Sequence, residues 1–232
     1  MFPFSSRFPL KPGMMVDHQA VLDHVWPLLT EDRRKKIEKV VQSRCFSNVV
    51  VLENIYDRGN VSAVMRSAEA FGLAQVHLIE LGEKFKESQR TTAGADKWVE
   101  VKKWKSTRDC IDELKRQGKQ IVVTHLDSSS KPIAEIDFSK PSALVLGNEK
   151  DGVSAEMIAA ADHRVIIPME GFVQSYNISV AGALCFYQMH LCRQQMLGKN
   201  GDLTDTEQAI LKAVYASRTL DSAEDILGRH NG

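Results

Sequence analysis

The sequence lacks several signatures that would assign a function directly. It contains neither GxGxxG after its first predicted strand, nor GxxxxGK(S/T), nor GxSxG, which argues against a dinucleotide-binding Rossmann domain, a P-loop protein and a serine hydrolase. No apolar run approaches the roughly 18 residues that a membrane-spanning helix needs. The four cysteines form no CxxC pair, so reduced thiols in a cytoplasmic protein are expected rather than a zinc ribbon or a redox pair.

An excess of charge is also absent, because 30 Lys and Arg residues balance 30 Asp and Glu residues. This balance argues against a purely electrostatic nucleic-acid binder, but it leaves room for an RNA enzyme with a local basic face. The seven histidines are scattered, and no metal site is expected. With 232 residues, 43% of them hydrophobic, the chain can form one domain with extensions or at most two small domains.

The N-terminal region divides into a leader and a basic segment. Residues 1–15 contain three prolines and are predicted to form a flexible leader. Residues 16–44 are predicted to be helical, with Thr30 as a helix N-cap. Five cations follow within seven residues: Arg33, Arg34, Lys35, Lys36 and Lys39. Two interpretations stay open for these cations, contact with an RNA backbone and a solvated helix face.

From Phe46 onward, short apolar strands alternate with helices. Strands are predicted at residues 49–53, 75–80, 98–101, 120–125, 143–146 and 164–167, and helices at 61–71, 107–117, 154–161 and 177–197. This alternation predicts an α/β fold, with a mostly parallel sheet covered by helices on both faces. A further helix is predicted at residues 204–217. The expected segments are therefore 1–45, 46–197 and a helical C-terminal extension, 198–232.

Polar residues are concentrated in three segments of this pattern. The first, residues 60–66 (NVSAVMR), places Asn60 where it can cap a helix and Arg66 in the body of that helix. Taken alone, this segment is explained better by a cap and a surface arginine than by a catalytic site.

The second segment, residues 144–154 (LVLGNEKDGVS), is an apolar strand followed by a polar loop between Gly147 and Gly152. Ligands of open α/β sheets bind at the carboxyl ends of strands. An ordinary strand-to-helix turn does not explain why Asn, Glu, Lys and Asp are crowded there.

The third segment, residues 166–181, contains a strand that ends at Pro168, a loop, and a helix that begins at Ser175 or Asn177. Serine and asparagine alternate at the start of this helix. Their hydroxyl and amide groups suit a neutral or zwitterionic ligand.

These three segments, in this order, resemble the SpoU/TrmH family of RNA ribose 2'-O-methyltransferases, a branch of the SPOUT superfamily. The matching signatures are NxxxxxR, GxExxG followed by Val-Ser, and IPMxGxxxSxNxSVA. The resemblance extends over residues 49–197, and the flanking helical segments are similar to those of TrmH-type enzymes. Tyr176 departs from the pattern, because TrmH-type enzymes usually have leucine there.

The resemblance implies a C-terminal trefoil knot, S-adenosylmethionine as the cofactor and a guanosine of tRNA as the substrate. It implies a catalytic set of Arg66, Asn60, Glu149, Ser175 and Asn177. It implies cofactor contacts from Thr124, Gly147, Ile167, Met169 and Tyr176. Alternatives are an rRNA substrate and a catalytically silent knotted module that binds RNA.

Arg66 is matched to the residue to which the family assigns the role of base. A guanidinium stays charged at any working pH, so we expect Arg66 to stabilise the developing alkoxide and grip a phosphate. A phosphate oxygen or water would then accept the proton. Glu149 is expected to orient Arg66 or a neighbouring helix terminus.

The last predicted core helix, residues 177–197, has apolar residues on more than one side. One stripe consists of Ala181, Leu184, Cys185, Gln188, Leu191 and Cys192, and Phe186, Tyr187 and Met189 lie off it. A helix buried inside one chain would explain the stripe. The resemblance implies instead a homodimer that packs around this helix, with the active site near the two-fold axis.

Overall fold

The computed structural model describes residues 1–80 and 97–230. The chain forms two compact units, of which one is Cys45–Asn200 and the other combines Met1–Arg44 with Gly201–Gly232. The two ends, which the sequence presents as separate extensions, thus belong to one unit.

The elements are numbered in chain order. The strands are β1 (Arg7–Lys11), β2 (Met14–Asp17), β3 (Asn48–Glu53), β4 (Gln75–Ile79), β5 (Glu100–Trp104), β6 (Gln120–Thr124), β7 (Lys131–Pro132), β8 (Ser142–Gly147) and β9 (His163–Ile166). The α-helices are α1 (His18–His24), α2 (Glu31–Ser43), α3 (Arg58–Ala70), α4 (Thr107–Arg116), α5 (Ala155–Ala160), α6 (Ile178–Leu197), α7 (Asp205–Thr219) and α8 (Ala223–His230).

The larger unit is built on a parallel sheet with the strand order β5-β4-β3-β8-β6-β9-β7. Successive residues of a strand face opposite sides of the sheet, so the central strands β3 and β8 contribute side chains to two hydrophobic cores, one on each side. Val50 and Leu52 pack in one core, which includes residues of α3 and α6. Val49 and Val51 pack in the other, which includes residues of α4 and α5. The predicted α/β fold with helices on both faces is confirmed.

Two strands depart from the predicted pattern. β5 lies at Glu100–Trp104 rather than at residues 98–101, and it is an edge strand with exposed Lys102 and Lys103. Edge strands with lysines lack the continuous apolar run by which buried strands are recognised. The two-residue strand β7 was too short to predict.

The prediction of a flexible leader over residues 1–15 is wrong from residue 7 onward, because β1 and β2 form an antiparallel hairpin. Gly13 supplies the positive φ of the turn at +80°, and the side chains of Phe8 and Val16 are buried. Most of the predicted helical region, residues 16–44, forms α1 and α2, with Pro27 in a 3-10 helix between them, but Val16 and Asp17 end β2. Thr30 caps α2 as predicted, since its hydroxyl accepts a hydrogen bond from the backbone N–H of Arg33.

In α6, which begins after the N-cap Asn177, the boundary between buried and exposed apolar residues does not follow the predicted stripe. Phe186 and Met189, which were placed outside the stripe, are 1% and 2% exposed and pack in the core together with Cys185. The exposed apolar side chains of this helix are instead Val180, Leu184, Tyr187, Leu191, Met196 and Leu197. Periodicity alone does not distinguish two apolar faces of one helix.

Candidate functional site

A cleft of about 440 Å³ opens at the carboxyl ends of β6, β8 and β9. Its walls come from residues 124–126, 146–152 and 165–181, which are the loops after these strands and the start of α6. The volume lies within the range of about 300–1,000 Å³ that is usual for small-molecule sites.

All five residues expected to contact the cofactor line this one cleft: Thr124, Gly147, Ile167, Met169 and Tyr176. Two members of the expected catalytic set, Glu149 and Ser175, line it as well. The Thr124 hydroxyl donates to the carbonyl of Val145 at 3.2 Å, so this side chain is tied to the neighbouring strand. The cleft therefore brings together residues of the second and third motif segments and the end of β6, whereas no residue of the first motif segment lines it.

The loop after β8 is closed by its own hydrogen bonds. Asn148 Oδ1 accepts from the backbone N–H groups of Lys150 and Asp151 at 3.0 and 2.7 Å, and the N–H of Gly152 donates to the carbonyl of Asn148 at 3.0 Å. A Cβ at Gly147 would lie 2.1 Å from the carbonyl carbon of Gly152. Only glycine at 147 therefore lets the loop fold back this tightly.

Three of the expected catalytic residues form a chain of hydrogen bonds. The Asn60 amide donates to Glu149 Oε1, and the Asn177 amide donates to Asn60 Oδ1 at 3.3 Å. Contrary to the prediction, Asn60 is not the N-cap of its helix. The cap is Asp57, whose side chain accepts from the N–H of Gly59 at 2.7 Å. Asn60 thus lies in the first turn of α3, where its side chain can link the other two motifs.

Arg66 is not part of this hydrogen-bonded series of side chains. It follows Asn60 by six residues in α3, which corresponds to about 9 Å along the helix and about 120° around it. The side chain is exposed, and within residues 1–80 and 97–230 it makes no hydrogen bond or ion pair. Within one chain, Glu149 therefore contacts the first turn of α3 through Asn60 and not Arg66, which it was expected to orient as one of two roles.

The sequence motifs missed a polar cluster at the rim of the cleft. His125, which lines the cleft, has Nε2 at 3.3 Å from Asp127 Oδ2, and Arg164 Nη1 is 3.6 Å from the same oxygen. Hydrogen bonds from the hydroxyl and N–H of Ser129 hold the pKa of Asp127 below its usual value. None of these residues belongs to a motif, and only their position after β6 or in β9 could have suggested them.

No helix in the part of the chain that the structure describes is long and apolar enough to cross a membrane. Over the same residues, no group of three or more His, Cys, Asp or Glu side chains is arranged to hold a metal ion.

The chain is similar to known RNA methyltransferases. The family model described as the SpoU rRNA Methylase family matches residues 47–187. A curated relative, tRNA (guanosine(18)-2'-O)-methyltransferase of Escherichia coli (strain K12), is 39% identical over 162 residues, which are 68% of this chain and 71% of the relative.

Solved structures agree with this result. The A. aeolicus TrmH/SpoU tRNA modifying enzyme matches with a TM-score of 0.73 and 32% identity over 82% of this chain and 98% of that chain. An AdoMet-bound rRNA methyltransferase from Sinorhizobium meliloti matches with a TM-score of 0.57 and 26% identity over 69% of this chain and 60% of that chain. The resemblance noted in the three sequence segments is confirmed, and the chain belongs to the SpoU rRNA methylase family.

Proposed function

We propose that this protein transfers a methyl group from S-adenosylmethionine to the ribose 2'-hydroxyl of a guanosine in tRNA. The observation that carries the proposal is the cleft, where all five expected cofactor residues meet. Membership of the family supports RNA methylation. The E. coli relative, a tRNA (guanosine(18)-2'-O)-methyltransferase, supports tRNA and guanosine and favours them over the rRNA alternative.

The cleft suits this cofactor in size and chemistry. Its walls combine apolar side chains such as Ile167 and Met169 with hydroxyl and amide groups and with the backbone of the Gly147 loop. Such groups fit a ligand that joins an adenine to a zwitterionic amino acid. The S. meliloti relative, whose structure holds AdoMet, supports the same assignment.

S-adenosylmethionine, when bound, supplies an electrophilic methyl group. The protein must then hold the ribose in line with it and stabilise charge on the 2'-oxygen as the proton leaves. We assign that stabilisation to Arg66, whose planar guanidinium can also hold a phosphate through two parallel hydrogen bonds. A phosphate oxygen or water accepts the proton. The chain formed by Glu149, Asn60 and Asn177, together with Ser175, positions the ribose.

We further propose that the enzyme is a homodimer in which Arg66 serves a site shared between two chains. Val180, Leu184, Tyr187 and Leu191 recur at spacings of four, three and four on α6, and each is at least 40% exposed. An apolar stripe of this kind is typical of a helix that packs against a partner. The location of Arg66 outside the cleft lining supports the shared site.

We also propose that residues 46–197 are the catalytic domain, and that its last third is tied in a trefoil knot. The likeness to the A. aeolicus enzyme over 82% of the chain supports this domain. The four cysteines are free, which supports a cytoplasmic site of action.

The direct test is transfer of labelled methyl groups from S-adenosylmethionine to unmodified tRNA, with the 2'-O-methyl position mapped afterwards. We expect incorporation at one guanosine of tRNA and none into rRNA. Incorporation only into rRNA would show that the substrate is rRNA and not tRNA. A protein that binds S-adenosylhomocysteine and tRNA but transfers nothing would be the silent binding module.

A further inference from the structure

The carboxylate of Glu53, the last residue of β3, is buried close to the cleft loop, and its side chain belongs to none of the three motifs. The residue is 1% exposed. Burying an ionised carboxylate is costly unless hydrogen bonds compensate for the lost water. Three neutral donors do so: the N–H of Ser154 at 2.8 Å, the Ser154 hydroxyl at 2.7 Å and the Thr107 hydroxyl at 2.9 Å.

The two hydrogen bonds that Ser154 donates require a side chain at position 53 whose polar atoms act only as hydrogen-bond acceptors. The Ser154 hydroxyl caps α5 by accepting from the N–H of Met157 at 3.2 Å, so its own proton points to Glu53. The N–H of Ser154 donates to the other carboxylate oxygen. Both oxygens must therefore accept. An amide at position 53 has the same shape, but its NH₂ group would face either the Ser154 N–H or the two hydroxyls.

Glu53 reaches both ends of the loop after β8. In the parallel pairing of β3 and β8, Glu53 is opposite Gly147, where the loop begins. Ser154, which it binds, follows the end of the loop. Residues 147–152, including Glu149, form one wall of the cleft. One buried carboxylate thus connects the strand next to the loop's start with the residue where the loop ends.

We propose that Glu53 is a positioning residue that holds this loop in its cofactor-binding shape, and through the loop keeps Glu149 against Asn60. The inference rests on the proposed function, because it takes S-adenosylmethionine as the ligand of the cleft. Glu53 touches neither the methyl group nor the ribose in this scheme.

The test compares Glu53→Gln with Thr107→Val, using calorimetry with S-adenosylhomocysteine and thermal melting. Both variants disturb hydrogen bonds of the same carboxylate, but only the first affects the loop. Glu53→Gln leaves one buried donor without an acceptor, and a loop that opens to relieve this loses its cofactor-binding shape, so we expect the ligand to bind about tenfold or more weakly. Thr107→Val should bind normally even though it melts at a lower temperature.

A second readout does not depend on the ligand. The N–H groups of Lys150, Asp151 and Gly152, which bond to Asn148, should exchange hydrogen faster in Glu53→Gln than in Thr107→Val. If Glu53→Gln does not fold, Ser154→Ala removes one of the same bonds and should weaken ligand binding in the same direction.

Unchanged ligand affinity in Glu53→Gln would overturn the inference and leave the proposed function intact. An equal loss of affinity in Thr107→Val at an equal loss of melting temperature would also overturn it, because Glu53 would then support only the stability of the fold. A wild-type protein that does not bind S-adenosylhomocysteine would overturn the proposed function itself.

Discussion

The cleft and the surface around Arg66 differ in their contacts within one chain. The residues around the cleft are held by hydrogen bonds of the same chain, whereas Arg66 makes none in the described residues. Three loops surround the cleft, and one of them is closed by hydrogen bonds to Asn148 and followed by Ser154, which donates to Glu53. Arg66 instead points to solvent, without a hydrogen bond or ion pair in the described ranges 1–80 and 97–230. Cofactor binding should therefore be a property of one chain, whereas catalysis should need the RNA and a second chain.

The largest expected effect comes from replacing Arg66, which should lower methyl transfer while leaving cofactor binding almost unchanged. Arg66→Ala should lower methyl transfer by about a hundredfold to a thousandfold, since it removes the stabilisation of developing charge. Arg66→Lys should be nearly as poor, because an ammonium lacks the planar fork. Affinity for S-adenosylhomocysteine should stay within about twofold in both. Arg108→Ala, at an exposed arginine of α4, is the control, and near-normal turnover of the Arg66 variants would refute the assignment.

The second effect concerns the apolar stripe of α6. Leu184→Glu places a charge among exposed apolar residues and should convert the proposed dimer into monomers, as seen by light scattering at micromolar concentration. Activity should be lost while the ligand still binds, because the cleft lies within one chain. Lys115→Glu, at an exposed position of α4 on the other side of the sheet, should change neither. A fully active monomer would contradict both the interface and the shared site.

The third effect is confined to the cleft. Gly147→Ala would place its Cβ 2.1 Å from the backbone of Gly152, so the loop must open. We expect the affinity for S-adenosylhomocysteine to fall at least about tenfold, with the protein still folded. Gly228→Ala is the control, because a Cβ there meets no atom within 4 Å among the residues described. If calorimetry gives the two variants the same affinity for S-adenosylhomocysteine, this loop is not part of the binding site.

The smallest effect is expected from the basic helix α2, for which RNA contact and a solvated face remain open. Ile37 and Val41 are the buried residues of this helix, and Lys36 and Lys39 are exposed. If these lysines contact phosphates, replacing both by alanine should weaken tRNA binding several-fold and reduce the salt dependence of log K by about 2. Lys115→Ala serves as the control. An unchanged salt dependence would leave the solvated face as the explanation.

Much of the cleft could be predicted because it depends on local sequence and on a general property of parallel sheets. Apolar runs such as residues 49–53 and 143–146 identify buried strands, and polar residues after strands collect at one edge of the sheet. The contacts of Asn60 could not be predicted in this way. Its partners Glu149 and Asn177 are 89 and 117 residues away in the chain, and its position in the helix suggested a cap.

The sequence by itself determined the α/β layers, the order of the three motifs and the collection of their polar residues at strand ends, since strand periodicity and strand ends are local features. Only the tertiary structure decided that Arg7–Asp17 form a hairpin, that Phe186 and Met189 face the core, and that Glu53 binds Ser154 beside the cleft loop. Each of these depends on which distant groups meet. A helix with two apolar faces does not specify which one the sheet will cover, and a glutamate at the end of a strand does not reveal the donors that will surround it.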